Sequence, residues 1–311
     1  MRSGLILFFI ILVGVFLRIY RITPPTAVFD VFVLIGILGG LAGIAAVFLF
    51  SREMFNREIG LLSAFLTSVS SWHIAVSRES VWPNWFLFFF TLFLYFLWKG
   101  LRGSHKCNFI FSGIFLGLVL YLSFPFFIPL TIIGLGYLSY WHLLKKDLNY
   151  TEYNHGKFFI LRGLALSATL AVLSFFLLYI LKNFGWSFGQ AKEAISPYAL
   201  SLPMIVLLSA GLFRSFFKLF RALRRHGHFS PAQTIILSWF FLGLASQEAI
   251  LALPVILVLA AEGCWWFFNW LKSWYAIYDK HLHEASLVSS LALILFLTGM
   301  ALLEFRNYFG F

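Results

Sequence analysis

Apolar blocks, each about as long as a bilayer is thick, recur along the whole chain and are separated by short polar segments. The first runs from Leu5 to Leu17 and the last from Leu287 to Leu303. A helix rising about 1.5 Å per residue needs roughly 20 apolar residues to cross about 30 Å of hydrocarbon. The pattern therefore predicts an all-α, polytopic transmembrane helical bundle of about 11 spans, within a range of 9–12. The limits read as 4–20, 31–50, 59–76, 84–98, 108–123, 125–143, 158–181, 198–213, 232–247, 249–270 and 286–304. The longest polar segments, Lys145 to Lys157, Lys182 to Ser196 and Arg214 to Gln233, suit loops or short surface helices. Residues 1–311 thus read as a single transmembrane domain.

Two turns are tight, around Ser123-Phe124-Pro125 and around Ser246-Gln247-Glu248. A re-entrant hairpin at either would change the span count by two. Phe216 to Arg225 alternates Phe and Leu with Arg and Lys, which predicts a segment lying flat on the cytoplasmic leaflet and held by anionic lipid. After Arg2 and the first apolar run, Phe16-Leu17-Arg18-Ile19-Tyr20-Arg21 offers no small-residue cleavage site, so the run reads as a retained span.

Composition supports this picture. Hydrophobic residues make up 61% of the 311 and charged residues only 11%, more oil than a soluble domain of this size hides. A net charge of +11 would suit nucleic acid in a soluble protein. Here its distribution follows the positive-inside rule instead. With the N-terminus in the cytoplasm, 17 of the 23 Lys and Arg fall on the cytoplasmic side. The same rule puts the C-terminus outside, in an integral protein of the plasma (inner) membrane, with the bilayer rather than nucleic acid as its partner. Cys107 and Cys264 have no metal-ligand neighbours and predict no disulfide. No P-loop, Gly-rich dinucleotide turn or nucleophile elbow is present.

Polar residues at the extracytoplasmic ends are few, and ionisable groups at membrane depth are costly, so each is a functional candidate. Asp30 follows the stiff segment Thr23-Pro24-Pro25-Thr26-Ala27-Val28-Phe29 and begins span two. Position alone leaves it as a helix N-cap or as a general base. Arg18 and Arg21 lie three apart at the end of span one, where they snorkel to the interface or hold an anionic head group. Arg78 and Glu79 close span three between Trp72 and Trp82. Arg78 is an interfacial anchor or a two-pronged phosphate ligand. His73, one turn before Ser77, is a packing residue or lines a cavity. Gln247 and Glu248 cap helix ends or line the same cavity. Glu193 suits a solvated loop pair with Lys192.

The order of these features resembles the polytopic GT-C class of glycosyltransferases, and within it the branch of protein O-mannosyltransferases and lipid A aminoarabinose transferases. The residues that carry the resemblance are Phe16 to Ile22 with the acid at Asp30, and Phe55-Asn56-Arg57-Glu58-Ile59-Gly60 running on to Ser77-Arg78-Glu79. Gly113 to Tyr121 and then Pro129 follow. Similarity covers roughly residues 10 to 145. Residues 1–145 are thus the best match to the GT-C core and 146–311 its weakly matching C-terminal spans.

The resemblance implies transfer of a sugar from a polyprenyl-phosphate carrier to an extracytoplasmic lipid, glycan or protein acceptor. Asp30 would be the catalytic base, Arg78, Arg18 and Arg21 would face the donor phosphate, and His73, Glu79, Tyr121, Gln247 and Glu248 would line the cavity. No metal site is assigned, although in some branches the acid contacts a divalent cation. The sequence also departs from the family. Val31 stands where a second acid is usual, no long outer segment precedes span two, and the late outer loop is cut to Ser246-Gln247-Glu248. These departures keep two alternatives open: a non-catalytic lipid-binding or scaffold relative, and a lipid transporter or flippase.

Overall fold

The computed structural model describes residues 2–20, 31–79, 81–103, 105–122, 163–173, 201–226, 231–245, 249–278 and 282–309. Among these residues there are eleven helices and no strand. They are α1 (Arg2–Ile19), α2 (Val31–Met54), α3 (Arg57–Val69), α4 (Ser71–Glu79), α5 (Val81–Gly103), α6 (Lys106–Leu122), α7 (Gly163–Leu173), α8 (Leu202–His226), α9 (Pro231–Ala245), α10 (Ala249–Tyr278) and α11 (Leu282–Phe309). This is the polytopic helical bundle the apolar blocks predict. Hydrocarbon offers no partner to a backbone N–H or C=O, and a helix satisfies both internally.

Five helical stretches are long and apolar enough to cross a membrane: Val33–Met54, Pro83–Arg102, Leu202–Arg221, Ala252–Ser273 and Leu287–Arg306. Gly4–Ile19, Lys106–Leu122, Gly163–Leu173 and Ala232–Leu244 are shorter apolar helices. The predicted span 125–143 lies outside the described residues.

The predicted third span departs from a single rod. It is two helices, α3 and α4, bent by 58° at Ser70. The Ser63, Thr67 and Ser68 hydroxyls donate back to the carbonyls of Ile59, Ser63 and Phe65 at 2.7, 2.7 and 2.8 Å. Such back-bonding bends helices. At the other end of α3, Asn56 is the N-cap and its Oδ1 accepts from the Ile59 amide at 2.8 Å. A second departure concerns Phe216 to Arg225. Through His226 the chain continues α8, so no separate helix lies flat there.

The core forms around α10, where residues 252–261 are all buried. Helices α3, α8, α9 and α11 pack on it, and α5 and α2 complete the wall. Trp239 of α9 fills the centre, its ring 5.7 Å from that of Phe50 and 5.1 Å from that of Phe90. Apolar side chains on α1 and α11 face outward, Phe8 at 61% and Leu295 at 71% exposure, as lipid-facing positions should.

Helices α8 and α10 cross at glycines. A Cβ on Gly211 would fall 1.9 Å from the Leu259 carbonyl oxygen, and one on Gly263 would fall 2.2 Å from that of Leu207. Small residues at such crossings let backbones approach closely in a membrane. Beyond the crossing, the fully buried Glu262 of α10 accepts from Ser215 Oγ at 2.8 Å and pairs with Lys218 at 2.5 Å and Arg214 at 3.6 Å. Lys218 also lies 5.6 Å from the centre of the Phe55 ring, at the junction of α2 and α3. That junction, with Glu53 against Arg102 of α5, marks one polar end of the bundle.

Candidate functional site

The opposite end is built where the C-termini of α1, α4 and α11 meet. Arg18, in the last turn of α1, turns inward and is fully buried. This corrects the expectation that it snorkels. Its Nη1 donates to the Gly14 carbonyl at 2.9 Å and to the Ser68 carbonyl at 3.4 Å, while its Nη2 donates to His73 Nδ1. Glycines open the room for this. A Cβ on Gly14 would come 3.3 Å from Arg18 Nη1, and one on Gly40 of α2 would come 3.1 Å from Arg18 Nε and 2.8 Å from Ser77 Cβ. Arg18 Nε has no hydrogen-bond partner among the described residues.

His73 is buried at the start of α4. Because its Nδ1 accepts from an arginine, the neutral ring carries its proton on Nε2. That edge faces Gly43, where a Cβ would approach Nε2 to 3.4 Å. It borders a narrow seam lined by Thr67, Thr91, Pro254 and neighbours, with no room for a water molecule. Ser77 Oγ donates to the His73 carbonyl at 2.9 Å, and Asn84 of α5 donates to the Val76 carbonyl at 2.9 Å. These bonds tie α4 to itself and to α5.

Arg78 closes the cluster. Its Nε donates to the Arg18 carbonyl at 3.1 Å, and its Nη2 donates to the carbonyls of Leu17, at 3.0 Å, and Tyr20. It therefore satisfies, from another helix, carbonyls that the end of α1 leaves open. Its guanidinium lies over the Tyr308 and Phe309 rings of α11, 5.3 and 5.2 Å from their centres. A turn earlier on α11, the buried Glu304 accepts from the Ser71 amide at 3.0 Å and so caps the bend into α4. Among the described residues, no carboxylate comes within ion-pairing distance of Arg18 or Arg78. The two guanidiniums are linked through the Arg18 carbonyl, which accepts from Arg78 Nε.

The structure thus brings Arg18, His73 and Arg78 together. Tyr121 is on α6, which packs chiefly on α5. Asp30, Arg21, Gln247 and Glu248 lie outside the described residues, as does the side chain of Glu79. Among the described residues no three His, Cys, Asp or Glu side chains cluster for a metal ion, and the acid that the resemblance links to a cation, Asp30, lies outside them. Sequence reasoning missed the part Glu304 plays at the bend and the Glu262 network. Glu262 was discoverable as a lone acid inside an apolar run. Glu304 was not, because its partner is 233 residues away.

Helix lengths and packing together define a polytopic helical membrane protein. Residues 19–171, just under half of the chain, match the family described as dolichyl-phosphate-mannose-protein mannosyltransferase. The fold is similar to that of the Archaeoglobus fulgidus oligosaccharyltransferase. In the crystal structure tethered with an acceptor peptide containing the NVT sequon, the TM-score is 0.54 at 13% identity, over 89% of this chain and 44% of that one. In the apo form the TM-score is 0.51 at 15% identity, over 89% and 45%. The chain therefore spans less than half the length of that enzyme. No curated protein matches the sequence.

Proposed function

We propose that the chain is a membrane glycosyltransferase that moves a sugar from a polyprenyl-phosphate carrier to an extracytoplasmic acceptor. The observation that carries this reading is the mannosyltransferase family match over residues 19–171, which takes in Asp30, Arg78 and most of the cluster between α1 and α4. In this reading the chain sits in the plasma membrane with its N-terminus in the cytoplasm, and the α1–α4–α11 end faces outward.

The Asp30 carboxylate takes the proton of an acceptor hydroxyl. The acceptor oxygen bonds to the anomeric carbon, the bond from that carbon to the phosphate oxygen breaks, and polyprenyl phosphate leaves with the electron pair. The developing phosphate charge is balanced at the arginine cluster. Arg78 commits Nε and Nη2 to α1 carbonyls, which leaves Nη1 for a phosphate oxygen. Arg18 adds positive charge from beneath, and Arg21, three residues on in the sequence, is a further cation for the phosphate.

The test uses purified chain in vesicles with dolichyl-phosphate mannose and a hydroxyl acceptor peptide. Wild type transfers mannose, and Asp30→Asn abolishes transfer at equal expression. Undiminished transfer by that variant removes Asp30 from the mechanism. Passage of the lipid across the bilayer with no transfer by wild type replaces the enzyme reading with the flippase one.

A further inference from the structure

The geometry points to a binding site for anionic phospholipid head groups on the last two turns of α8, at the end of the bundle opposite the arginine cluster. This does not depend on the proposed glycosyl transfer.

From Phe213 to Arg225 the chain carries Arg214, Lys218, Arg221, Arg224 and Arg225 and no acidic residue. The fold divides four of these cations into two sets. Arg214 and Lys218 turn inward to the buried Glu262, and Ser215 joins them. That three-sided attachment fixes the rotation of α8 about its axis. At about 100° per residue, the opposite face then carries Phe213, Phe216, Phe217 and Phe220. Their exposures are 64%, 45%, 49% and 64%.

Arg221 and Arg224 are exposed beyond this aromatic stripe, at the helix end. The Arg221 guanidinium lies 4.5 Å from the centre of the Phe217 ring. Among the described residues no carboxylate pairs with either arginine. Lys218 over Phe55 puts this face at the same end as Arg52 and Arg102. Aromatic rings below and exposed cations above match the layering of a leaflet, acyl chain below and phosphate above. A basic protein surface would be repelled here, and a neutral lipid would leave both arginines without an anion.

The experiment places the purified full chain in nanodiscs of phosphatidylcholine with graded phosphatidylglycerol. Native mass spectrometry then counts the lipids that stay bound. Wild type should retain phosphatidylglycerol over phosphatidylcholine, with a preference that falls as salt rises. R221Q/R224Q should lose about 30-fold of that preference, as expected for two interfacial cations. R221E/R224E should retain phosphatidylcholine alone. Neither pair contacts Glu262, so thermal midpoints in pure phosphatidylcholine should stay at the wild-type value and confirm folding. An unchanged preference in the folded double variant overturns the proposal, as does equal retention of both lipids by wild type.

Discussion

Replacing Gly211 by alanine should loosen the bundle at its most closely packed crossing. The added methyl would sit 1.9 Å from the Leu259 carbonyl oxygen and 2.6 Å from its carbon. Both are backbone atoms, which cannot rotate away, so α8 and α10 must separate by more than an ångström. Overpacking of this kind costs about 1–3 kcal/mol. Separation also stretches the 2.8 Å bond from Ser215 to Glu262, one turn along. A buried carboxylate deprived of a donor adds about 1–3 kcal/mol. Alanine's better helix propensity returns about 1 kcal/mol. The net expectation is a loss of about 1–5 kcal/mol. Gly299 of α11 is the control, since a Cβ there meets nothing within 4 Å. Its alanine variant should stay within about 1 kcal/mol of wild type. The assay is reversible unfolding in detergent micelles by titration with sodium dodecyl sulfate, followed by tryptophan fluorescence. Equal midpoints for the two variants would refute the close-crossing argument.

The Glu262 network should respond unequally to removal of its two signs. Arg214→Met with Lys218→Met strands a fully buried carboxylate and should cost about 3–5 kcal/mol. Glu262→Gln leaves two partly exposed cations that can reach outward, so the same titration should show a smaller loss. Arg78→Ala should cost about 1–3 kcal/mol by uncovering the α1 carbonyls. Arg78→Lys should recover only part of that, because an ammonium lacks the planar fork that serves three carbonyls and two rings; full recovery would show that charge alone suffices.

The spans were legible because apolar length is a local property. The blocks at 31–50, 84–98 and 249–270 appear as α2, α5 and α10 with longer ends. The break at Ser70 was not read, although Ser63, Thr67 and Ser68 advertise back-bonding, because neither proline nor glycine marks it and its cap, Glu304, lies on another helix. Arg18 pointed outward on sequence grounds, since an arginine at a span's end ordinarily seeks the interface. It turns inward because Gly40 and Gly43, more than twenty residues on, leave a space that His73 and Ser77 help shape. The basic run after Phe213 read as a surface helix because its partner, Glu262, comes 44 residues after Lys218. In each miss, the deciding contact lay on a different helix.

The cap on the bend has a consequence in time. The Ser71 amide donates to a carboxylate 233 positions downstream. At about 5–20 residues per second, a ribosome needs on the order of 10–50 s to deliver that group. Throughout that interval the first four helices exist with the joint between α3 and α4 unsealed. The nascent protein must keep that joint wet, or sheltered by the insertion machinery, until α11 arrives to close it.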